Sequence, residues 1–285
     1  MESDQMQHTY IPPKNQPVRM VFILGNSYSG STLLGFLLTS DPGIVFLGEI
    51  KSNVRRDKQL CSCGQVIDEC TFYRQYAATF LALKESAFNK IRYISPLRFI
   101  LRNTIKLDTE TLSHVRELHS SITRRVADQY PDAAYWVDSS KSLWLLNAWL
   151  QVIPREEIKI VWIKRNLKSN LASFLKRGHA FFPSLLGAML NKWLTAKFLS
   201  RNQLESLTVN YDHFHQHFQK EANTLSLFLK REIKLPTHDH HNHHATSGNS
   251  GTRKTFTYPF HGFRADTEWE TVLSPWQKKI TSWLD

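Results

Sequence analysis

The sequence predicts an α/β fold in three layers, with a central, mainly parallel sheet flanked by helices. Short apolar runs typical of β-strands alternate along the chain with longer segments whose apolar residues recur at helical spacing. A strand that follows an intervening helix usually returns parallel to the strand before it, so this alternation favours a parallel sheet covered on both faces. A glycine-containing turn also joins the first apolar run to the first helical segment.

The elements follow in chain order. Each predicted strand is a short run rich in aliphatic or aromatic residues, and these runs cover residues 19–24, 44–47, 134–137, 158–163 and 206–209. Helical apolar spacing predicts helices over residues 32–38, 70–90, 109–130, 142–151, 168–177, 185–200 and 212–230. A last helical pattern, from residue 267 to residue 284, carries three tryptophans that we expect to pack on the domain.

Composition narrows the class of protein. Of the 285 residues, 41% are hydrophobic and 21% are charged, which is ordinary for a soluble globular chain. Residues 1–17, with several Pro, Gln and Asn, are predicted to form a flexible lead, and residues 18–285 a single domain. The lead does not resemble a secretory signal and no apolar run is long enough to span a bilayer, so we expect a cytoplasmic protein.

The formal net charge of +11 favours anionic partners. The basic residues are spread along the chain and form no dense tail, which favours a small anionic ligand over nucleic acid. Peripheral contact with an acidic membrane surface stays open, because residues 88–107 contain several basic side chains.

Residues 25–32 carry the most informative motif. They read Gly-Asn-Ser-Tyr-Ser-Gly-Ser-Thr, which is the phosphate-binding GxxxxGK[ST] pattern with Ser31 in place of its lysine. In such a P-loop the backbone N–H groups and the positive end of the helix dipole surround an anion, and hydroxyl groups add donors. Close packing of a strand on a helix is the alternative that needs no ligand. We expect a P-loop-type fold with a phosphate site.

A second candidate phosphate site follows the fourth predicted strand. Arg165 stands at the end of that strand, and Ser173 lies eight positions further on, in the next predicted helix. A guanidinium group offers a planar fork of donors that matches a phosphate, and a serine hydroxyl can add another. Taken singly, each residue would by default be an ordinary surface residue.

A strand, a GxxxSGST loop and a later strand that ends in Arg with Ser eight positions on together resemble the sulfotransferases that use 3′-phosphoadenosine 5′-phosphosulfate (PAPS). The similarity extends from about residue 18 to residue 284, and further segments resemble a bacterial branch of that family. Its supporting segments are Leu-Gly-Glu-Ile at 47–50, Cys-Ser-Cys-Gly at 61–64 with Cys70, Val-Asp-Ser-Ser-Lys at 137–141, Asn-Tyr-Asp at 210–212 and the segment 244–253.

The resemblance implies a PAPS-dependent sulfotransferase that transfers a sulfuryl group to a hydroxyl or amine of a small-molecule, lipid or carbohydrate acceptor and releases adenosine 3′,5′-bisphosphate. It places the 3′-phosphate on Arg165 and Ser173, and a late loop with Asn249 and Arg253 over the nucleotide. The reaction requires no metal. The residues that it places around the 5′-phosphosulfate are Ser27, Tyr28, Ser29, Gly30, Ser31 and Thr32.

One position departs from the family pattern. Sulfotransferases of this kind usually carry Lys or Arg immediately before the Ser-Gly of the loop, whereas this chain has Tyr28. A phenol brings no positive charge to the leaving phosphate, so another residue must supply it. Lys141, just past the end of the third predicted strand, is our candidate, although it could equally be a surface lysine at the start of a helix.

The acceptor must lose a proton as it attacks sulfur, and a carboxylate can take that proton. The resemblance places a general base after the first helix, which here is Glu49. Asp138, at the end of the third predicted strand, is the second candidate and could instead hold a loop or orient Lys141. For both residues, capping of an element boundary is the simpler alternative.

Cysteine and histidine residues raise the question of a metal. Cys61, Cys63 and Cys70 lack the fourth ligand that a closed zinc site needs, and their spacing is not that of a standard finger, so we expect reduced structural thiols and no metal. Metal binding remains the alternative. Five histidines in a polar loop invite the same question, and a solvated loop beside an anionic ligand is the favoured interpretation: His238, His240, His241, His243 and His244.

Two functions of other classes stay open. A nucleotide kinase or other P-loop phosphotransferase would use the same loop, but Ser31 replaces the lysine that reaches the β- and γ-phosphates. A catalytically silent nucleotide-binding protein of the same fold would fit the missing charge at Tyr28.

Overall fold

The computed structural model describes residues 17–52, 60–92, 105–235, 242–248 and 265–284. Over these residues, five parallel strands form one sheet in the order β2-β3-β1-β4-β5. The α/β class with a central parallel sheet is therefore confirmed. The strands are β1 (Arg19–Leu24), β2 (Ile44–Phe46), β3 (Tyr135–Asp138), β4 (Ile158–Lys164) and β5 (Ser206–Asn210).

The helices lie between and after these strands, close to the predicted positions. They are α1 (Ser31–Leu38), α2 (Ala77–Arg92), α3 (Thr109–Gln129), α4 (Leu143–Trp149), α5 (Leu167–Leu175), α6 (Phe181–Arg201), α7 (His213–Leu229), α8 (Trp269–Val272) and α9 (Pro275–Leu284). None of the helices in the described ranges is long and apolar enough to cross a bilayer.

Two helix starts were predicted wrongly: α6 begins at Phe181, before the predicted residue 185, and α2 begins after the predicted residue 70. Residues 70–76 form successive turns, and α2 begins only at Ala77. The N–H groups of Tyr73 and Arg74 both bind the Cys70 carbonyl, and those of Tyr76 and Ala77 both bind the Tyr73 carbonyl. Two N–H groups thus share each carbonyl, and the segment forms separate turns instead of a regular helix. The spacing of apolar residues alone does not distinguish such turns from a helix.

Helices cover both faces of the sheet. On one face, Phe22 and Trp136 pack with residues of α3 and α4. On the other, Val21 and Ile23 pack with α1 and α7. The last five residues of β1 are therefore buried whichever face of the sheet their side chains point to, which explains why this strand is an unbroken apolar run in the sequence.

The carboxyl-terminal helices pack on α5 and α6, as predicted, but the expected packing of all three tryptophans was wrong, since Trp283 is 87% exposed. Leu273, between α8 and α9, is buried with Leu171 and Phe181. This contact brings the residues just before α8 to the end of β4, where Arg165 lies.

The order of the strands creates a crevice between β1 and β4. The chain leaves β1 through α1 toward β2, at one edge of the sheet, whereas it leaves β4 through α5 and α6 toward β5, at the other edge. Two adjacent parallel strands whose connections diverge in this way leave an opening at their carboxyl ends, and ligands bind there. Both predicted phosphate motifs lie at this opening.

Asp41 and Arg231 form a buried ion pair that fastens the α1–β2 turn to the end of α7. The carboxylate accepts bonds from Arg231 and from the backbone N–H groups of Gly43 and Glu232. We expect Asp41→Ala to lower the free energy of unfolding by about 3–5 kcal/mol, because it leaves a buried guanidinium group without its partner. Denaturant titration checks this value.

Glu205→Ala provides the control for that experiment. It breaks the ion pair with Lys159, in which the glutamate side chain is 70% exposed, and should cost less than about 1 kcal/mol. Equal losses in the two variants would contradict the role given to the buried pair.

Candidate functional site

The loop between β1 and α1 is held in a conformation that only glycine suits at its last position. Gly30 has φ of 91°, and a β-carbon there would overlap the ring of Tyr211. The carbonyl oxygens of Ser27 and Tyr28 accept bonds from Asn170 and Arg165, so both face partners on the far side of the crevice. The loop is thus braced by α5 and by the end of β4.

Lys141 brings three predicted site residues together. Its Nζ donates to the Ser31 hydroxyl at 3.1 Å and forms an ion pair with Glu49. It also donates to the Ser139 carbonyl at 3.1 Å, and its backbone has φ of 57°, which turns the side chain back toward the loop after β1. An ammonium group therefore lies beside Ser31, the position at which a typical P-loop carries its own lysine.

Glu49 faces the same cleft with a side chain that is 22% exposed. Its second carboxylate oxygen accepts a bond of 2.9 Å from the Ser52 hydroxyl. Its backbone N–H and carbonyl both bond the hydroxyl of Ser247. Residues 242–248, which we call the closing segment, therefore fix the backbone of the candidate base.

Asp138 occupies a different position from Glu49. Its carboxylate is fully buried and accepts bonds from the backbone N–H groups of Ile50 and Ser140 and from the indole N–H of Trp149. Burial raises its pKa to about 6, against the effect of these hydrogen bonds. The carboxylate thus ties the loop after β2 to the loop after β3, the arrangement that the loop-holding alternative describes.

Arg165, just after β4, lines the same cleft as Glu49. One guanidinium nitrogen donates to the Tyr28 carbonyl and reaches the Ser173 hydroxyl at 3.4 Å. The other forms an ion pair with Asp266. The guanidinium group also lies 5.0 Å from the centre of the Tyr211 ring. Arg165 and Ser173 are therefore adjacent, as their spacing predicted, but a carboxylate already occupies part of the fork.

The cleft that joins these groups has a volume of about 1370 Å³ and an excess of positive charge. Its charged lining comprises five cations and two carboxylates: Lys51, Lys141, Arg165, Lys176, Arg177, Glu49 and Glu268. Such an excess favours a ligand with several anionic groups. A cleft of this volume, lined by residues of both predicted phosphate sites, can hold a nucleotide.

Sequence reasoning missed several of these cations. Arg177 lies over the ring of Tyr28, with 4.1 Å between the guanidinium carbon and the ring centre, so a cation does approach the residue that breaks the family pattern. Lys176 and Arg177 follow Ser173 by three and four residues on the same helical face, a spacing that could have identified them. Lys51 carries no such local signal.

The remaining predicted residues fall into three groups. Ser27, Tyr28, Gly30, Ser31 and Thr32 line the cleft. Ser29 instead lines a neighbouring cavity of about 700 Å³, and its buried hydroxyl has no hydrogen-bond partner among the described residues. Asn249 and Arg253 lie outside the described residues, although Gly248, just before them, packs against Thr32.

Comparison with known proteins adds two structural likenesses. No protein-family model matches the sequence, and no curated protein sequence matches it either. The sulfotransferase domain of the Synechococcus PCC 7002 olefin synthase matches at 13% identity and a TM-score of 0.49, over 95% of this chain and 96% of that one. Sulfotransferase STF9 from Mycobacterium avium matches at 12% identity and a TM-score of 0.38, over 77% of this chain and 66% of that one.

Gly30→Ala should distort the loop. The left-handed backbone costs about 1–2 kcal/mol for a residue with a β-carbon, and the overlap with Tyr211 adds about 1–3 kcal/mol. We expect the variant to have a lower melting temperature than the parent chain in a thermal unfolding experiment.

The double variant Gly30→Ala/Tyr211→Ala separates the two contributions. Its loss of stability should be smaller than the sum of the two single losses, because the overlap is absent once the ring is removed. Strictly additive losses would contradict the contact between residue 30 and the ring.

Proposed function

We propose that this protein is a sulfotransferase that uses PAPS as its donor. The observation that carries the proposal is the convergence of two phosphate-type sites on one cationic cleft. One contains Ser31 with Lys141, at the end of β1, and the other contains Arg165 with Ser173, at the end of β4. PAPS has a 5′-phosphosulfate and a 3′-phosphate on one adenosine, so a single ligand can occupy both sites.

Binding would begin with the two phosphate groups. The 5′-phosphosulfate would lie at the start of α1, where the helix dipole and the loop N–H groups favour an anion. The 3′-phosphate would lie on Arg165 and Ser173, and it would displace the carboxylate of Asp266 from the guanidinium group. The motif resemblance to PAPS-dependent sulfotransferases supports the same placement. Asn249 and Arg253 remain proposed contacts from the late loop.

The chemical step needs a base and a stabilised leaving group. The oxygen or nitrogen of the acceptor would form a bond to sulfur. Glu49 would take the proton that this hydroxyl or amine group loses. The bond between sulfur and the bridging oxygen breaks, and its electron pair remains on the 5′-phosphate of adenosine 3′,5′-bisphosphate. Lys141, already beside Ser31, would stabilise that developing charge and so supply the cation that Tyr28 does not.

Glu49 is preferred to Asp138 as the base because of exposure and contacts. Glu49 lines the cleft, whereas the carboxylate of Asp138 is fully buried and engaged by the backbone of Ile50 and Ser140. Asp138 would instead act as a positioning residue for the loops that carry Glu49 and Lys141.

The acceptor would be a small molecule, a lipid or a carbohydrate with a free hydroxyl or amine.

A P-loop phosphotransferase is the second candidate, and Lys141 favours it because its ammonium group lies beside the residue that replaces the P-loop lysine. Such enzymes also need an acidic residue for Mg²⁺. Asp138 is at the end of a strand but is buried and hydrogen-bonded, which disfavours that role. Turnover of ATP that depends on Mg²⁺ would support the phosphotransferase. Turnover of PAPS without any turnover of ATP would exclude it.

Arg165→Ala tests the 3′-phosphate site. The variant loses charged hydrogen bonds worth about 1.5–3 kcal/mol. The affinity for adenosine 3′,5′-bisphosphate should therefore fall by about 10- to 100-fold. Binding of ADP, which has no 3′-phosphate, should change little. Calorimetric titration measures both, with Arg155→Ala as a control at an exposed arginine. Equal losses for the two nucleotides would remove the proposed role.

Asp266→Asn should act in the opposite direction. The substitution removes a negative charge from the guanidinium group on which the 3′-phosphate would bind, so adenosine 3′,5′-bisphosphate should bind severalfold more tightly while ADP is unaffected. The same titration measures this effect. Weaker binding would show that the carboxylate positions Arg165 for the ligand and does not compete with it.

Glu49→Gln tests the base. We expect formation of adenosine 3′,5′-bisphosphate from PAPS, measured with a panel of simple phenols, alcohols and amines, to fall by about 100-fold or more. Affinity for adenosine 3′,5′-bisphosphate should be retained. Glu232→Gln, at an exposed glutamate, controls for general effects of charge. Full turnover by Glu49→Gln would exclude this residue as the base and turn attention to Asp138.

A further inference from the structure

We propose that Cys61, Cys63, Cys70 and His244 form a site for one structural Zn²⁺ ion. Their three sulfur atoms and one imidazole nitrogen all lie within 4.8 Å of one another. Cys61, Cys70 and His244 are buried, and Cys63 is partly exposed. His244 is the fourth ligand that the cysteine spacing alone could not supply. The inference depends on these four residues and is independent of the proposed sulfotransferase activity.

Three of the six distances within this cluster are close to the edges of a tetrahedral metal site, and all six are 4.8 Å or less. Sγ of Cys63 lies 3.6 Å from Sγ of Cys70, and Nδ1 of His244 lies 3.2 Å from Cys70 and 3.8 Å from Cys61. Zinc bonds of about 2.3 Å to sulfur and about 2.0 Å to nitrogen give tetrahedral edges of roughly 3.8 Å between two sulfurs and roughly 3.5 Å between sulfur and nitrogen. Three thiolates with one imidazole form a donor set that selects zinc among the common divalent ions.

The backbone brings the three cysteines to one point. The N–H of Cys61 bonds the Gln65 carbonyl, and the N–H of Gly64 bonds the Cys61 carbonyl, which closes a tight turn around Cys63. Gly64 has φ of 90°, a conformation that suits glycine. The N–H groups of Glu69 and Cys70 both bond the Val66 carbonyl, and this turn returns Cys70 to the same side.

The imidazole of His244 is oriented by its neighbours before any metal binds. Its Nε2 bonds the hydroxyl of Tyr130, and its ring stacks on Phe72 with 5.0 Å between ring centres. With the proton on Nε2, His244 donates to Tyr130, and the lone pair of Nδ1 faces the sulfur atoms. Metal-bound histidines in proteins are typically fixed by a hydrogen bond of this kind on the second nitrogen.

The site would fasten the closing segment to the rest of the domain. His244 belongs to that segment, whereas its proposed co-ligands lie more than 170 positions earlier. The closing segment also contacts the Ser62 side chain, the backbone of Glu49 and, through Gly248, Thr32. A metal bound here would therefore hold in place the segment that adjoins the base and the phosphate loop, while taking no part in the transfer itself.

Metal analysis of the full-length chain tests the proposal. Purified with zinc present and then dialysed, the protein should contain one zinc ion per chain by mass spectrometry, and its three thiols should react with a thiol reagent only after a strong chelator is added. Removal of the metal should lower the melting temperature by several degrees. A chain with no metal and three freely reactive thiols, or with a Cys63–Cys70 disulfide, would overturn the proposal.

Variants locate the metal. Cys63→Ser, at the partly exposed ligand, should lower zinc affinity by more than about 100-fold, and Tyr130→Phe, which leaves all four ligands in place, by about 10- to 100-fold. Competition with a chromophoric chelator measures both affinities. Cobalt provides a second readout, because thiolate-to-cobalt absorption should appear in the parent chain and weaken in Cys63→Ser.

The other histidines of the polar loop provide the matched control. Replacement of His238, His240 and His241 by alanine should leave one zinc per chain, and so should His215→Ala on the exposed face of α7. Loss of the metal from the triple variant with retention in Cys63→Ser would identify adventitious binding by the loop and overturn the proposal. Because metal content needs no nucleotide, this outcome is distinguishable from a failure of the sulfotransferase assay.

Discussion

The organisation of the cleft depends on the contacts that the ammonium group of Lys141 makes with Ser31 and Glu49. This group joins Ser31, at the start of α1, to Glu49, in the loop after β2, and it does so from the loop after β3. Three chain segments that follow three different strands thus meet at one cation. Their neighbouring positions follow from the parallel sheet, since all three strands end at the same edge.

The buried carboxylate of Asp138 holds together the loops that carry Glu49 and Lys141. The carboxylate of Asp138 accepts hydrogen bonds from the backbone N–H groups of Ile50 and Ser140. The hydroxyl of Ser140 in turn accepts a bond from the backbone N–H of Lys51. The position of Lys141 is therefore determined by backbone contacts that involve no ligand. In the proposed reaction, a cation held in this way would need little reorganisation as charge develops beside it.

The strands and most helices could be predicted from the sequence because their apolar periodicity reflects burial directly. The pairing of Arg165 with Ser173 was predictable for a similar reason, since one follows a strand and the other lies on the next helix. Asp266 could not be predicted as a partner of Arg165, because it depends on how α8 and α9 pack on α5. The grouping of His244 with the cysteines was equally hidden, since a long-range contact leaves no trace in local spacing.

The contact between the closing segment and β2 has a consequence beyond the cleft. The carbonyl of Asn242 and the N–H of His244 pair with the backbone of Phe46, on the side of β2 away from β3. An outermost strand with free backbone groups is a template on which a second chain can add. By occupying the backbone groups of Phe46, residues 242–244 leave fewer free donors and acceptors at this edge of the sheet, which disfavours the addition of a second chain there.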